Sequence, residues 1–75
     1  MARVRLNLTL KKYSQNEELV EVRIQKDTPL KTLLGQIGLP VEEVGLIIRN
    51  GRWESIECTV REEDELDLFP FLCGG

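Results

Sequence analysis

Alternating hydrophobic and polar residues predict two strands in the first third of the chain. Over residues 4–10 every second residue is Val or Leu, with Arg, Asn and Thr between them. A period of two places these hydrophobic side chains on one face of a strand. The same period recurs when Val20, Val22 and Ile24 alternate with polar residues. Because the polar residues 11–17 separate the two runs, we predict a hairpin.

A helix is predicted after this hairpin. Thr28 can cap a helix through its hydroxyl, and Pro29 can occupy the first helical position, where its missing N–H costs nothing. Four apolar residues follow at the spacing i, i+3, i+4 and i+7, namely Leu30, Leu33, Leu34 and Ile37. Gly38 and Pro40 supply the usual end of a helix. We expect the apolar stripe to pack on the sheet.

The second half of the chain predicts a further hairpin. Residues 46–48 are apolar and mostly β-branched, as in a strand with a neighbour on each side. Asn50 and Gly51 follow as a strong turn signal, and residues 52–56 are predicted to form the partner strand.

A last strand is predicted over residues 66–69, after an acidic stretch at residues 62–65 that we expect to form a solvated turn. We predict that this strand pairs in parallel with the first one across a long connection. The order strand, strand, helix, strand, strand, strand indicates an α+β roll. Its four- or five-stranded mixed sheet packs on one helix.

Length and composition are typical of one small globular domain. The chain has 75 residues, of which 41% are hydrophobic and 31% are charged. The hydrophobic core of a chain this short is small, so it leaves little space for a deep pocket. The sequence has no histidine, no glycine-rich phosphate loop, and no Ser or Cys with an evident base. We therefore predict a protein that is not an enzyme.

Charge narrows the class of partner. Ten basic and thirteen acidic residues give a net charge of −3, which does not provide the basic face that nucleic acid or an anionic membrane requires. We expect a protein partner with a basic or neutral surface. No stretch approaches the roughly 20 apolar residues of a membrane span, and the first residues lack the apolar region of a signal peptide. A cytoplasmic location is predicted.

Cysteine usage predicts neither a disulfide framework nor a metal site. The two cysteines, Cys58 and Cys73, are too few for the former. Without histidine they cannot complete one of the usual four-ligand zinc sites. We therefore expect reduced thiols and no bound metal.

Two segments resemble the MoaD/ThiS family of sulfur carriers, which are ubiquitin-like β-grasp proteins. Residues 44–52, with the sequence VGLIIRNGR, are similar to the family's strand that ends in an Asn-Gly turn. Residues 63–75, with the sequence EDELDLFPFLCGG, are similar to its acidic turn, last strand, proline-containing exit and diglycine. The resemblance implies a ubiquitin-like β-grasp roll over residues 1–70. It also implies a flexible diglycine tail over residues 71–75 that carries the reactive carboxylate.

The resemblance further implies that other proteins load and unload the carboxylate of Gly75. An adenylating enzyme of the ubiquitin-activating type would activate it with ATP and Mg, and a sulfur donor would convert it to a thiocarboxylate. The sulfur would then pass to a precursor of molybdopterin or of the thiazole of thiamine. The second partner would be the large subunit of molybdopterin synthase or thiazole synthase. The carrier itself would bind no cofactor.

The last six residues supply the remaining candidate site residues. Because glycine has no side chain, two glycines in succession form the narrowest segment, or lead, that can enter a channel in a partner protein. We therefore expect Gly74, behind Gly75, to thread into a partner. Cys73 would thread with it, although a small inert residue is more usual there in the family. Three residues at the exit from the sheet are candidates for docking on a partner: Pro70, Phe71 and Leu72. The exit sequence Phe-Pro-Phe resembles the molybdopterin branch of the family slightly more than the thiamine branch, which implies a slight preference for the molybdopterin pathway.

Several alternatives stay open on the sequence alone. The same activated carboxylate suits a ubiquitin-like modifier that is joined to lysines, and an inert diglycine suits a plain β-grasp interaction module. Trp53 is equally consistent with an exposed anchor and with a lid on the edge of the core. For Phe69 we expect a place in the core. Cys58 is expected to be a small, partly buried filler without chemistry.

Overall fold

A five-stranded mixed sheet carries the fold in the computed structural model, which describes residues 1–15 and 17–71. In chain order the strands and the helix are β1 (Ala2–Leu6), β2 (Leu19–Val22), β3 (Thr28–Pro29), α1 (Leu30–Ile37), β4 (Val44–Arg49), β5 (Arg52–Glu54), β6 (Thr59–Val60) and β7 (Glu65–Pro70). Two 3₁₀ segments, Leu8–Ser14 and Val41–Glu43, lie between them. The strand β3 pairs with β6 in a separate two-stranded sheet.

The last strand lies in the middle of the main sheet. The strand order is β2-β1-β7-β4-β5. β1 is antiparallel to β2 and parallel to β7, whereas β4 is antiparallel to both β7 and β5. The predicted parallel pairing of the first and last strands is therefore confirmed. Because β7 has a neighbour on each side, its backbone is held along both edges.

One face of the sheet and the apolar stripe of α1 enclose the core. In β1 the residues Ala2, Val4 and Leu6 are fully buried, while Arg3 and Arg5 between them are exposed. Three of the four predicted helix positions are also fully buried, namely Leu30, Leu33 and Leu34. Truncating any of these leucines to Ala should cost roughly 2–5 kcal/mol, because a cavity replaces well-packed side-chain atoms.

The first strand is shorter than predicted, because the chain leaves the sheet after β1 and enters a 3₁₀ segment. Asn7 donates to the carbonyl of Leu68 through both its backbone N–H and its side-chain amide, at 3.0 Å each. Leu8 has a φ of +55°, a left-handed conformation that ends the extended run. The second half of the predicted strand is therefore wrong, although Leu10 is still buried.

The helix begins one residue later than predicted. Thr28 donates its hydroxyl to the carbonyl of Lys26 at 2.9 Å and does not cap the helix. Thr28 and Pro29 form β3 instead, because β6 offers them a partner strand. The predicted cap is thus wrong, and Pro29 precedes the first helical residue. The predicted end is confirmed, since Gly38 has a φ of +87° and donates its N–H to the carbonyl of Leu34.

The predicted Asn-Gly hairpin is confirmed between β4 and β5. Asn50 and Gly51 have φ values of +53° and +83°, the pair of positive angles that a type I′ turn requires. Arg49 and Arg52 face each other across the turn. The partner strand ends at Glu54, earlier than predicted.

The acidic stretch before β7 is not a simple solvated turn. Asp64 is only 8% exposed, whereas its three acidic neighbours are exposed. Its carboxylate accepts hydrogen bonds from the backbone N–H of Arg61 at 2.8 Å and from the side-chain amide of Asn50 at 2.9 Å. Arg49 lies 3.5 Å away from it. The prediction is therefore wrong for Asp64, which joins the β4–β5 hairpin to the start of β7.

These partners keep Asp64 ionised. Burial alone would raise the pKa of its carboxyl, but the hydrogen bonds from Arg61 and Asn50 and the charge of Arg49 outweigh it, so the pKa lies below its usual value. Arg49 is held in turn by Glu54, 2.8 Å from its Nη2 atom. The hydrogen bond to Glu54 raises the pKa of the guanidinium.

Replacing this carboxylate tests its structural role. We expect Asp64→Asn to lower the free energy of unfolding by roughly 1–3 kcal/mol at pH 7, because an amide cannot accept from all of the donors around it. The pKa of Asp64 in the folded protein lies below the ordinary value of about 4. The difference in free energy of unfolding between the wild type and the variant is therefore fully present above about pH 4. It should disappear as the pH falls through the folded pKa. Urea denaturation across pH measures both quantities, and equal stabilities at pH 7 would contradict the role.

The matched control is Glu63→Gln, which removes a carboxylate from an exposed position in the same turn. We expect it to change the free energy of unfolding by less than about 0.5 kcal/mol, as is usual for surface substitutions.

Candidate functional site

The candidate site is the place where the chain leaves the sheet. β7 ends at Pro70, which faces Val44 of β4, and Phe71 is the last residue that the structure describes. Four residues predicted to act beyond this point lie outside the described residues: Leu72, Cys73, Gly74 and Gly75.

An apolar depression surrounds this exit. It has a volume of about 200 Å³ and is lined by five residues that we call the exit patch: Gly45, Leu46, Phe69, Pro70 and Phe71. None of the five has a charged or polar side chain. Phe71 is 58% exposed, so its ring is open to a partner. The structure thus brings the two described docking candidates, Pro70 and Phe71, together with part of β4.

Phe69 belongs to this surface and not to the core. The buried residues of β7 are Leu66 and Leu68, and Phe69 points to the opposite face because side chains alternate along a strand. Its cross-strand neighbour is Leu46, and both are half-buried. The prediction that Phe69 closes the core is therefore wrong.

The apolar surface continues across the outer face of the sheet. Ile48 lies on this face because Ile47 beside it is buried, and its cross-strand neighbours are Asp67 and Trp53. Trp53 is 78% exposed, which settles its open alternatives in favour of an exposed side chain. The apolar half of the outer face therefore consists of Leu46, Ile48, Trp53 and Phe69.

The other half of the outer face is charged. Arg5 on β1 lies 3.9 Å from Asp67 and 4.0 Å from Glu18, and Arg3 lies 3.7 Å from Glu21. All five side chains are 40% exposed or more, so each pair contributes little to stability. The outer face thus presents an apolar half beside the exit and a half of mixed charge over β1 and β2.

Comparison with known proteins identifies the family. No family model matches the sequence. The chain is 34% identical over 58 residues to the sulfur carrier protein TtuB of Thermus thermophilus, a match that covers 77% of this chain and 88% of that protein. The chain belongs to the MoaD/ThiS-type family of sulfur carriers. This relationship to a carrier protein confirms the prediction that the chain is not an enzyme.

A solved structure confirms the fold class. The chain is similar to SAMP1 from Haloferax volcanii with a TM-score of 0.69 and 22% sequence identity, and the match covers 99% of this chain and 98% of that one. The predicted ubiquitin-like β-grasp fold is confirmed. The mixed five-stranded sheet and α1 of this sulfur carrier are the predicted sheet and helix of that fold.

Two residues of the exit patch were not predicted from the sequence, namely Leu46 and Gly45. Leu46 was interpreted as part of a fully buried strand, and Gly45 gave no signal because its neighbour in space is distant in sequence. A further difference from the sequence prediction lies outside the exit patch, at Leu8, which is 56% exposed. Its exposure was hidden because the alternation of residues 4–10 assigned it to the buried face.

The described part of the carrier offers no metal site and no reactive thiol. Among residues 1–15 and 17–71, no three of the His, Cys, Asp and Glu residues lie together where they could hold a metal ion. Cys58 is half-buried and packs against the core, and burial raises the pKa of its thiol. It remains protonated at neutral pH, which agrees with the role of a filler. No helix in these residues has the length and hydropathy to cross a membrane.

The exposure of Trp53 is directly measurable, because it is the only tryptophan in the sequence. We expect the free carrier to emit at the wavelength of an indole in water and to be quenched by acrylamide almost as efficiently as N-acetyltryptophanamide. Trp53→Phe, which has no indole, supplies the background. A blue-shifted emission that is protected from acrylamide would mean that the ring is packed against the domain.

Proposed function

We propose that this protein carries sulfur as a thiocarboxylate on Gly75 and donates it in molybdopterin biosynthesis, in the cytoplasm. The relationship to a sulfur carrier over most of both chains supports the proposal. The sequence around the exit supports it as well, because it continues from Phe71 to the diglycine of Gly74 and Gly75. The Phe-Pro-Phe exit favours the molybdopterin pathway over the thiazole of thiamine.

Two chemical steps would load the carrier. A carboxylate oxygen of Gly75 attacks the α-phosphorus of ATP on an adenylating enzyme, which also holds Mg, and pyrophosphate leaves. A sulfur nucleophile at the oxidation level of sulfide then attacks the carbonyl carbon of the acyl-adenylate, and AMP leaves with the bridging oxygen. The product is the thiocarboxylate. On the large subunit of molybdopterin synthase its sulfur would attack the precursor, and water would then displace the sulfur from the carbonyl carbon, so that the carboxylate of Gly75 is regenerated.

The character of the exit patch fits a carrier that leaves the chemistry to its partners. Its five residues offer no acid, base or nucleophile side chain near the point where the chain leaves the sheet. They do offer exposed apolar area, and aromatic residues such as Phe71 are frequent anchors in protein interfaces. We propose that the adenylating enzyme and the synthase subunit dock in turn on this patch.

The residues behind the carboxylate would serve as its lead. Glycine has no Cβ, so Gly74 permits backbone conformations and clearances that other residues exclude. Cys73 adds only a small side chain to this lead, and we propose no sulfur chemistry for its thiol.

Loading can be observed as a change in mass. We expect incubation with the cognate adenylating enzyme, Mg-ATP and a sulfide source to replace one oxygen of the carrier by sulfur, as read by intact mass spectrometry. Omission of ATP should prevent the change. Lysine-linked adducts would instead support a ubiquitin-like modifier, and no change under conditions that load another carrier would support an inert interaction module.

Variants at Gly75 test which carboxyl group is loaded. Deleting Gly75, or adding one residue after it, should abolish loading because the carboxylate no longer reaches the α-phosphorus of ATP. Neither change should lower the melting temperature. A large loss of stability would instead indicate a structural role for these residues.

The docking role of the exit patch predicts a specific kinetic effect. We expect Phe71→Ala to raise the KM of the adenylating enzyme for the carrier roughly 10-fold, because truncating an apolar anchor removes more than about 1 kcal/mol of binding. The melting temperature should not change, since the ring is 58% exposed. Leu19→Ala on β2 is the matched control, an apolar side chain that is 42% exposed away from the patch. Equal KM values for the two variants would contradict docking through Phe71.

A further inference from the structure

The backbone of Phe71 lies directly against Gly45. A Cβ atom added to Gly45 would lie 2.8 Å from the Cα and 2.9 Å from the backbone N of Phe71, and 3.0 Å from the Cδ1 atom of its ring. Side-chain Cβ atoms essentially never come this close to backbone atoms. Any other residue at position 45 would therefore displace the chain at Phe71 or be displaced by it.

The conformation of Gly45 does not by itself require glycine. The positive-φ glycines among the described residues are Gly38 and Gly51, so Gly45 has a backbone that other residues can adopt. Gly45 is also exposed, which means that a side chain would not have to enter the core. The close approach of Phe71 is thus the feature that excludes a side chain there.

A β-bulge places Gly45 under the exit. The register of β4 and β7 shifts between Val44, which faces Pro70, and Leu46, which faces Phe69. Gly45 is the extra residue of the bulge. Bulges bend a strand and re-aim the residues beside them. The ring of Pro70 restricts the φ of that residue, and Pro70 has no backbone N–H to donate. The direction in which the backbone enters Phe71 is therefore restricted.

We propose that Gly45 is a positioning residue for the loading reaction: its bare backbone seats Phe71 against β4 and so fixes where the segment that carries the reactive carboxylate begins. This inference rests on the proposed function. Loading requires the carboxylate to meet the α-phosphorus of ATP, and small displacements of a reacting group are enough to cost large factors in rate.

The test compares Gly45→Ala with Gly35→Ala. Gly35 is also exposed, has no positive φ, and has nothing within 4 Å of an added Cβ, so its substitution adds the same methyl group without a collision. We expect Gly45→Ala to lower the kcat of adenylation, measured by ATP-pyrophosphate exchange at saturating carrier, roughly tenfold or more. Gly35→Ala should keep the wild-type kcat. The enzyme used is the one that supports exchange with the wild-type carrier.

The kcat distinguishes positioning from docking. Phe71→Ala keeps Gly45 bare and should change KM alone, whereas Gly45→Ala moves the start of the segment and should lower kcat even when the enzyme is saturated. A wild-type carrier that is not loaded would refute the proposed function and with it a positioning role in loading. The contact between Gly45 and Phe71 would then be confirmed or refuted by the structural measurement alone. A loaded wild type with an equal kcat for Gly45→Ala would overturn the positioning role alone.

Nuclear magnetic resonance tests the contact between Gly45 and Phe71 without any partner protein. The wild type should give strong nuclear Overhauser effects from the α-protons of Gly45 to the backbone and ring protons of Phe71. In Gly45→Ala, amide shifts should move mainly at residues 44–46 and 69–71. Absent Overhauser effects in the wild type would overturn the proposal. So would a Gly45→Ala variant that fails to fold at any temperature, because Gly45 would then be required by the domain as a whole.

Discussion

The parallel pairing of β1 with β7 determines where this chain leaves the sheet. It places the last strand between β1 and β4, with register partners along both edges. A strand held on both sides cannot shift its register without breaking two ladders at once, and a shift of one residue would exchange its buried and outer faces. The end of β7, at Pro70, is therefore a fixed point on a rigid sheet.

The division of labour follows from this geometry. The inner face of the sheet closes a small core with α1. Under the proposed function the outer face serves recognition, with its apolar half nearest the exit. The sheet holds the end of β7 in place and provides a surface around it. The exit patch contains no acid, base or nucleophile side chain. Under the proposed function this is sufficient, because the reactions at the carboxylate would be catalysed by other proteins.

Local patterns predicted most of the elements and the parallel pairing of the first and last strands, but not the contacts that single residues make with distant parts of the chain. Asn50 and Gly51 determine their turn by themselves, so the hairpin was predictable. Thr28 has a local reason to cap a helix, but a partner strand that is distant in sequence takes the residue into β3 instead. Asp64 is buried by contacts with a hairpin that composition does not reveal. Gly45 was missed for the same reason, since only the fold brings Phe71 against it.

The most direct test of the sulfur carrier is to locate the transferred atom after loading, by top-down fragmentation of the intact protein. The expected result is that the fragment containing only Gly75 carries sulfur in place of one oxygen, while the fragments that contain Cys58 and Cys73 keep their normal side-chain masses. Sulfur found as an added atom on either cysteine, with an unchanged carboxylate at Gly75, would contradict the carrier role of this carboxyl group.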